Sequence, residues 1–232
     1  MRLFQKKKPA VESASPYDQK VVELIDHHGI TLVFDIGANI GQHAQRLRGA
    51  GYQGRIVSFE PLASNHQHLS DLSAADPSWE IAPRMAVGDR DGETEINVSH
   101  HHDMSSVLKL TPPTLEALPK ARVVSTETVP LKTLDSLIGD FCGPEDKLFI
   151  KVDTQGYEQA VLNGAQQSMA SGQVAGWQLE LSLFPLYDGE KTYEDIAAWL
   201  KDKGYEAHYI FPGYFSKKLM RQLQIDGVFF RS

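Results

Sequence analysis

The chain has 232 residues, 41% of them hydrophobic, and a formal charge of −7. That length suits one large α/β domain with a substantial core, and the acidic balance argues against a partner held by phosphate neutralisation, so no nucleic acid is expected. The single cysteine, Cys142, excludes an internal disulfide and a repeated Cys/His zinc spacing, which makes a reducing cytoplasm the expected location.

Residues 1–15 read as a flexible basic tail carrying Arg2, Lys6, Lys7 and Lys8, with no hydrophobic signal core behind them. No apolar run approaches the roughly 18 to 20 residues of a membrane span, so no stable membrane insertion is expected. Pro16 opens a helix in PYDQKVVELIDHHG, with Val21, Val22, Leu24 and Ile25 on one side and Gly29 as its stop. TLVFD is then a buried strand, NIGQHAQRLRGAG a helix, and RIVSFE a second strand bounded by Gly54 and Pro61. Pro61 suits the first turn of a third helix, whose Leu62, His66, Leu69 and Leu72 share a face.

From 79 to 98 short strand candidates flank the turn signal Asp91-Gly92. Residues from about 99 to 130 form an irregular insertion with a His run, Ser105-Ser106, the Pro112-Pro113 break and the β-rich VVSTETVP. LKTLDSLIG is expected to be helical, KLFIKVD a strand, YEQAVLNGAQQSM one helix and GWQLELS a further strand. TYEDIAAWLKDKG has Thr192 as cap, Asp195 three residues on and Gly204 as terminator, and AHYIF and DGVFF close the chain as consecutive strands. Helix-separated strands ending in an adjacent β pair predict a mostly parallel sheet with one antiparallel edge strand.

In such a sheet, ligands bind beyond the carboxyl ends of the strands. Those ends carry Asp35-Ile-Gly37, Phe59-Glu60, Asp89 and Lys151-Val-Asp153. Gly37 and Gly41 flank Ala38-Asn39-Ile40, a spacing that permits a backbone turn against a ligand. Asn39 stands where the dinucleotide fingerprint has its middle glycine, so a pyrophosphate is disfavoured. Glu60 can accept from both hydroxyls of a ribose, which makes an adenosine cofactor plausible; a purely structural left-handed turn is the alternative.

FDIGANIGQH, SFEP, AVGDRDG, SSVLKL, KVDTQGYE and QLELSLFPLYDG, in that order, resemble the FkbM family of S-adenosylmethionine-dependent methyltransferases over about residues 30–231. The resemblance implies an α/β, Rossmann-like class I methyltransferase fold: a seven-stranded, mostly parallel sheet with its last strand antiparallel and helices on both faces, in a single domain over 16–232. It implies S-adenosyl-L-methionine as cofactor and O-methylation of a hydroxyl, often on a sugar or glycan precursor. By the same resemblance Asp35, Gly37 and Gly41, with Asn39 between them, surround the methionine portion. Glu60 and Pro61 then meet the ribose, Asp89 and the Met85-Ala86-Val87 stretch lie near adenine, and Ser105 and Ser106 belong to a closing loop. Lys151, Asp153, Gln155, Gly156 and Glu158 form the motif beside the transferring methyl.

A hydroxyl acceptor loses its proton as the C–O bond forms, so Asp153 is the expected base or acceptor-orienting group, with Lys151 setting its charge state. Both could instead form only an ion pair anchoring the sheet. Glu180, flanked by leucines, either orients the acceptor, ligates a metal, or makes a buried structural hydrogen bond. Pro185 and Tyr187 wall a pocket or pack a loop, and His43 approaches the cofactor or is an ordinary helix residue. No metal site is assigned: of His100, His101 and His102 only the outer two share a face, and a general base or a solvated loop competes with a ligand role. The expected partner is a small-molecule or carbohydrate acceptor, with oligomerisation left open. A peptide or other small-molecule acceptor, a nicotinamide-dependent oxidoreductase and a non-catalytic scaffold are the rival readings.

Overall fold

Ser15 begins the first helix by a reciprocal cap. Its hydroxyl accepts from the Asp18 amide, the Asp18 carboxylate accepts from the Ser15 amide, and proline follows at the first helical position of α1 (Pro16–His27). The computed structural model describes residues 14–100 and 102–232, with His102 described by its backbone alone. The basic tail expected over 1–15 therefore lies outside the described residues as far as 13, and Ser15 belongs to the helix.

After α1 the elements are β1 (Leu32–Ile36), α2 (Gln42–Gly49), β2 (Arg55–Phe59), α3 (Ala63–Ser73), β3 (Trp79–Ile81), β4 (Ala86–Gly88) and β5 (Gly92–Ser99). The middle of the chain adds α4 (Pro112–Ala117), β6 (Val123–Thr133), α5 (Leu134–Phe141), β7 (Leu148–Val152), α6 (Glu158–Asn163) and α7 (Gln166–Ala170). Then come β8 (Val174–Ser182), α8 (Tyr193–Asp202), β9 (Tyr205–Pro212), β10 (Phe215–Ser216), β11 (Arg221–Gln222) and β12 (Gln224–Arg231).

Seven strands form the main sheet in the order β3-β2-β1-β7-β8-β12-β9. Strands β3, β2, β1, β7 and β8 pair in parallel, and β12 runs antiparallel to both of its neighbours. The antiparallel strand is thus not at the edge, as expected, but one place in. Burial gives the reason: Val228, Phe229 and Phe230 of β12 are buried in succession and need cover on both faces, whereas β9 is exposed along most of its length. Val21, Ile25, Ala44, Leu47 and Leu69 from α1 to α3 pack on one face. Leu137, Val161, Met169, Ile196 and Leu200 from α5 to α8 pack on the other.

Three boundaries depart from expectation. Residues 123–133, placed partly in an irregular insertion and partly in a helix, form the long β6 of a second sheet, β4-β6-β5. The β-branched run VVSTETV favours the strand, and the helix starts only where the Thr133 hydroxyl accepts from the Ser136 amide. The single helix expected over 157–169 is broken at Gly164, where a Cβ would lie 2.0 Å from the Gly88 carbonyl oxygen.

Candidate active site

Parallel register sets Asp35 of β1 between Ser58 of β2 and Lys151 of β7. Leaving β1, the amides of Gly37 and Ala38 donate to the Phe59 carbonyl at 3.0 and 3.1 Å, so the chain folds over the end of β2. On the other side the Asp153 amide donates to the Ile36 carbonyl at 3.0 Å. A cavity of about 770 Å³ opens above these strand ends. Its floor and one wall hold Gly37, Ala38, Asn39, Glu60, Lys151 and Asp153, and Met85, Ala86, Val87, Ile96 and Val107 give an apolar wall.

Glu60 is 4% exposed and uses both oxygens on backbone: the Asn39 amide donates to one at 2.8 Å and the Leu62 amide to the other at 2.9 Å. Asn39 holds φ +51, and its side-chain oxygen accepts from Asn65 at 2.9 Å, which fixes the turn that aims its amide. Burial pushes the Glu60 carboxyl up to about 7, against the opposing pull of those two amides. Each oxygen keeps a lone pair for a further donor.

At the end of β7 the Lys151 ammonium lies 3.0 Å from Asp153 and 3.8 Å from Asp35. Burial pulls Lys151 down, but Asp153 and Asp35 outweigh it and hold the ammonium protonated. Burial likewise raises Asp153, and Lys151 with a hydrogen bond from Gln155 outweighs it, leaving an ionised carboxylate below the usual range. Gln155, at φ +55, donates to both Asp153 and Glu180 at 2.7 Å, and Gln224 donates to the same Glu180 oxygen at 2.7 Å. Glu180 is pushed well above its ordinary value by burial first and by Asp153 and Asp226 next. One cavity thus holds a carboxyl pushed below its ordinary range beside one pushed above it.

A family model for the FkbM methyltransferase domain matches residues 35–207. The chain belongs to the FkbM methyltransferase family. No curated protein sequence gives a significant match. Among solved structures, the O-methyltransferase from Bacillus cereus in complex with SAH is similar at 13% identity and a TM-score of 0.53, over 96% of this chain and 84% of that one. Magnesium protoporphyrin IX methyltransferase from Synechocystis PCC 6803 with bound SAH has 13% identity and a TM-score of 0.48, over 93% and 82% of the two chains. At such identities the first likeness is one of fold, the Rossmann-like class I methyltransferase fold.

In this FkbM methyltransferase, Gly37, Asn39, Glu60, Pro61, Ala86, Ser106, Lys151, Asp153 and Glu180 all line the cavity. Asp35, Gly41, Asp89, Gly156 and Glu158 do not. Asp35 is fully buried behind the wall, facing Lys151 and, at 3.5 Å, Ser58. Gly41, at φ +85, packs its backbone against Trp79 and Leu69, where a Cβ would fall 2.8 Å from the indole. Asp89 sits on the surface, paired with Arg90 at 3.0 Å, although Ala86 and Val87 of the strand before it line the cavity.

Ser106 does join two parts of the site. Its hydroxyl donates to the Gln155 carbonyl at 2.7 Å and accepts from the Leu108 amide at 3.0 Å, tying the insertion to the β7 loop. Glu158 accepts from the amides of Thr154 and Gly156 and stitches the same loop from behind. Tyr187 lies under Gly156 and donates to Gln155 at 2.9 Å, outside the cavity wall. Among the described residues no group of three potential ligands could hold a metal; His101 and the side chain of His102 lie outside them.

Asn65, Gln224, Arg46 and Met104 line the cavity without having been singled out. Asn65 had one faint signal, a polar residue one helical turn from Pro61. Gln224 had none, since its role depends on β12 entering the sheet beside Glu180. His43 is the residue whose helix-only reading fails: it is buried, lines the cavity, and neither ring nitrogen has a hydrogen-bond partner.

Proposed function

We propose that the chain transfers a methyl group from S-adenosyl-L-methionine to a hydroxyl of a sugar or glycan precursor. The observation that carries this reading is that an ionised Asp153 and the ribose-type acceptor Glu60 line one cavity. The cavity fits the cofactor by its donor set: Glu60 has spare lone pairs for ribose hydroxyls, and Met85, Ala86 and Val87 offer adenine an apolar wall. Lys151 and the unpartnered ring nitrogens of His43 are available to the polar methionine end.

When bound, S-adenosylmethionine supplies an already activated sulfonium methyl. What remains for the protein is alignment and proton removal. Asp153, ionised and held from both sides by Lys151 and Gln155, orients the acceptor hydroxyl and takes its proton as the C–O bond forms. Lys151 keeps that carboxylate charged before transfer, and Asp35 keeps Lys151 charged. Glu180, through Gln155, fixes the angle at which Asp153 faces the cavity.

The test is a mass-spectrometric screen of nucleotide sugars, glycans, amines and peptides for a gain of one CH₂ that depends on S-adenosylmethionine. Modification of hydroxyl acceptors supports the proposal. Activity on amines or peptides with none on hydroxyls overturns it.

A further inference from the structure

We propose that the lip of the cavity docks on an anionic lipid surface, so that the acceptor is presented to the site from a bilayer. This rests on the acceptor reading above and narrows it to a lipid-linked saccharide. The β10–β11 hairpin stands at the cavity mouth, where Tyr214 is part of the lining. Tyr214, Phe215, Leu219 and Met220 are all exposed, Met220 at 77%, although the exposed large hydrophobics elsewhere are scattered. Met220 also holds φ +48, a left-handed conformation that a methionine adopts only at a cost. A strained, apolar and open side chain adds nothing to the hairpin's own stability.

Charge selects the occupant. Residues 207–225 contain Lys217, Lys218 and Arg221 and no acid, in a chain whose net charge is −7. The facing segment 103–126 adds Lys109, Lys120 and Arg122 against Asp103 and Glu116, and Lys120 and Asp103 both line the cavity. Among the described residues no carboxylate pairs with Lys217, Lys218 or Arg221; Lys218 donates to the Glu116 carbonyl at 3.3 Å, and Arg221 lies over the Phe184 ring at 4.3 Å. The first contact holds the hairpin beside α4, whose Leu115 is exposed as well, and the second holds it against the loop after β8. Apolar side chains interleaved with unpaired cations match a surface with negative headgroups over hydrocarbon.

The test is co-sedimentation of the full chain with vesicles of phosphatidylcholine alone or mixed with phosphatidylglycerol. The comparison is with Leu219→Ser/Met220→Asn, in which asparagine tolerates the left-handed position, and with Lys217→Glu/Lys218→Glu. Binding to the anionic vesicles only, weakened at least about tenfold in each variant, is the expected result. No binding, or equal binding by the variants, overturns the proposal; equal binding assigns any attraction to the rest of the chain. Each variant is also titrated with S-adenosylhomocysteine, whose unchanged affinity separates loss of docking from a failure of the cofactor reading.

Discussion

A Cβ built on Gly37 would lie 1.9 Å from the carbonyl oxygen of Asp153. The turn after β1 and the loop after β7 therefore meet backbone to backbone, and Gly37 holds φ +75 besides. Two motifs more than a hundred residues apart share this contact because β1 and β7 are neighbours in the sheet.

Gly37→Ala is expected to push the two loops apart and strain a left-handed position, at about 1–3 kcal/mol for the strain alone. S-adenosylhomocysteine affinity should fall at least about tenfold, measured by titration calorimetry on protein whose circular dichroism is unchanged. Wild-type affinity would show that the contact has slack and that the loop geometry is not what holds the cofactor.

Glu60 makes cofactor binding depend on pH. Burial raises its carboxyl to about 7 in the free protein, and ribose hydroxyls donate best to the ionised form. Affinity for S-adenosylhomocysteine is therefore complete above that value and falls as pH drops through it, by up to about tenfold per unit. Calorimetric titrations on either side of neutrality check the slope, which Glu60→Gln should flatten while lowering affinity throughout.

Asp153→Asn should reduce turnover at saturating acceptor by about 10²- to 10⁴-fold and leave S-adenosylhomocysteine affinity within a few-fold of wild type. Turnover equal to wild type would reduce the Lys151–Asp153 pair to a structural anchor.

Glu180→Gln replaces a carboxyl whose ionisation burial opposes with a neutral group of the same shape. Turnover and thermal midpoint should stay close to wild type. Glu180→Ala should lower both, since the amides of Gln155 and Gln224 then lose their shared acceptor, at about 1–3 kcal/mol for buried unsatisfied donors. A large loss in the glutamine variant would assign Glu180 an ionised role.

Lys151→Met strands Asp35, which is fully buried, and Asp153 without their cation. Breaking a buried pair in this way costs about 3–5 kcal/mol, or a drop of roughly 6–20 °C in the unfolding midpoint for a chain of this size. Adding Asp35→Asn should recover part of that loss in the same scanning-calorimetry measurement. No recovery would place the effect in packing of the lysine stem.

Much of the site was legible locally. Gly37, Glu60, Lys151 and Asp153 all fall at or just past strand ends, and alternating strands and helices point to those ends, while Asp35 lies behind them. Asp89 shows the limit of that logic: Ala86 and Val87 of β4 line the cavity, whereas Asp89, just past the end of that strand, does not. His43 shows the opposite failure. Its position after Gly41 left an approach to the cofactor and an ordinary helix residue both open, and nothing local distinguishes a histidine beside a cavity from one turned to solvent.

Local periodicity, caps and turn residues determined the α/β alternation and most strand ends, since those features depend on a residue and its near neighbours, while the ordered motifs from FDIGANIGQH to QLELSLFPLYDG carried the resemblance to the family. Tertiary structure alone decided that β12 lies inside β9 and that Gln224 reaches Glu180. It also decided that the Asp153 carboxyl is held below its ordinary range and the Glu180 carboxyl above it. Both outcomes depend on which distant groups share a desolvated space. Desolvation and charge pairing act through distance in the fold, which spacing along the chain does not encode.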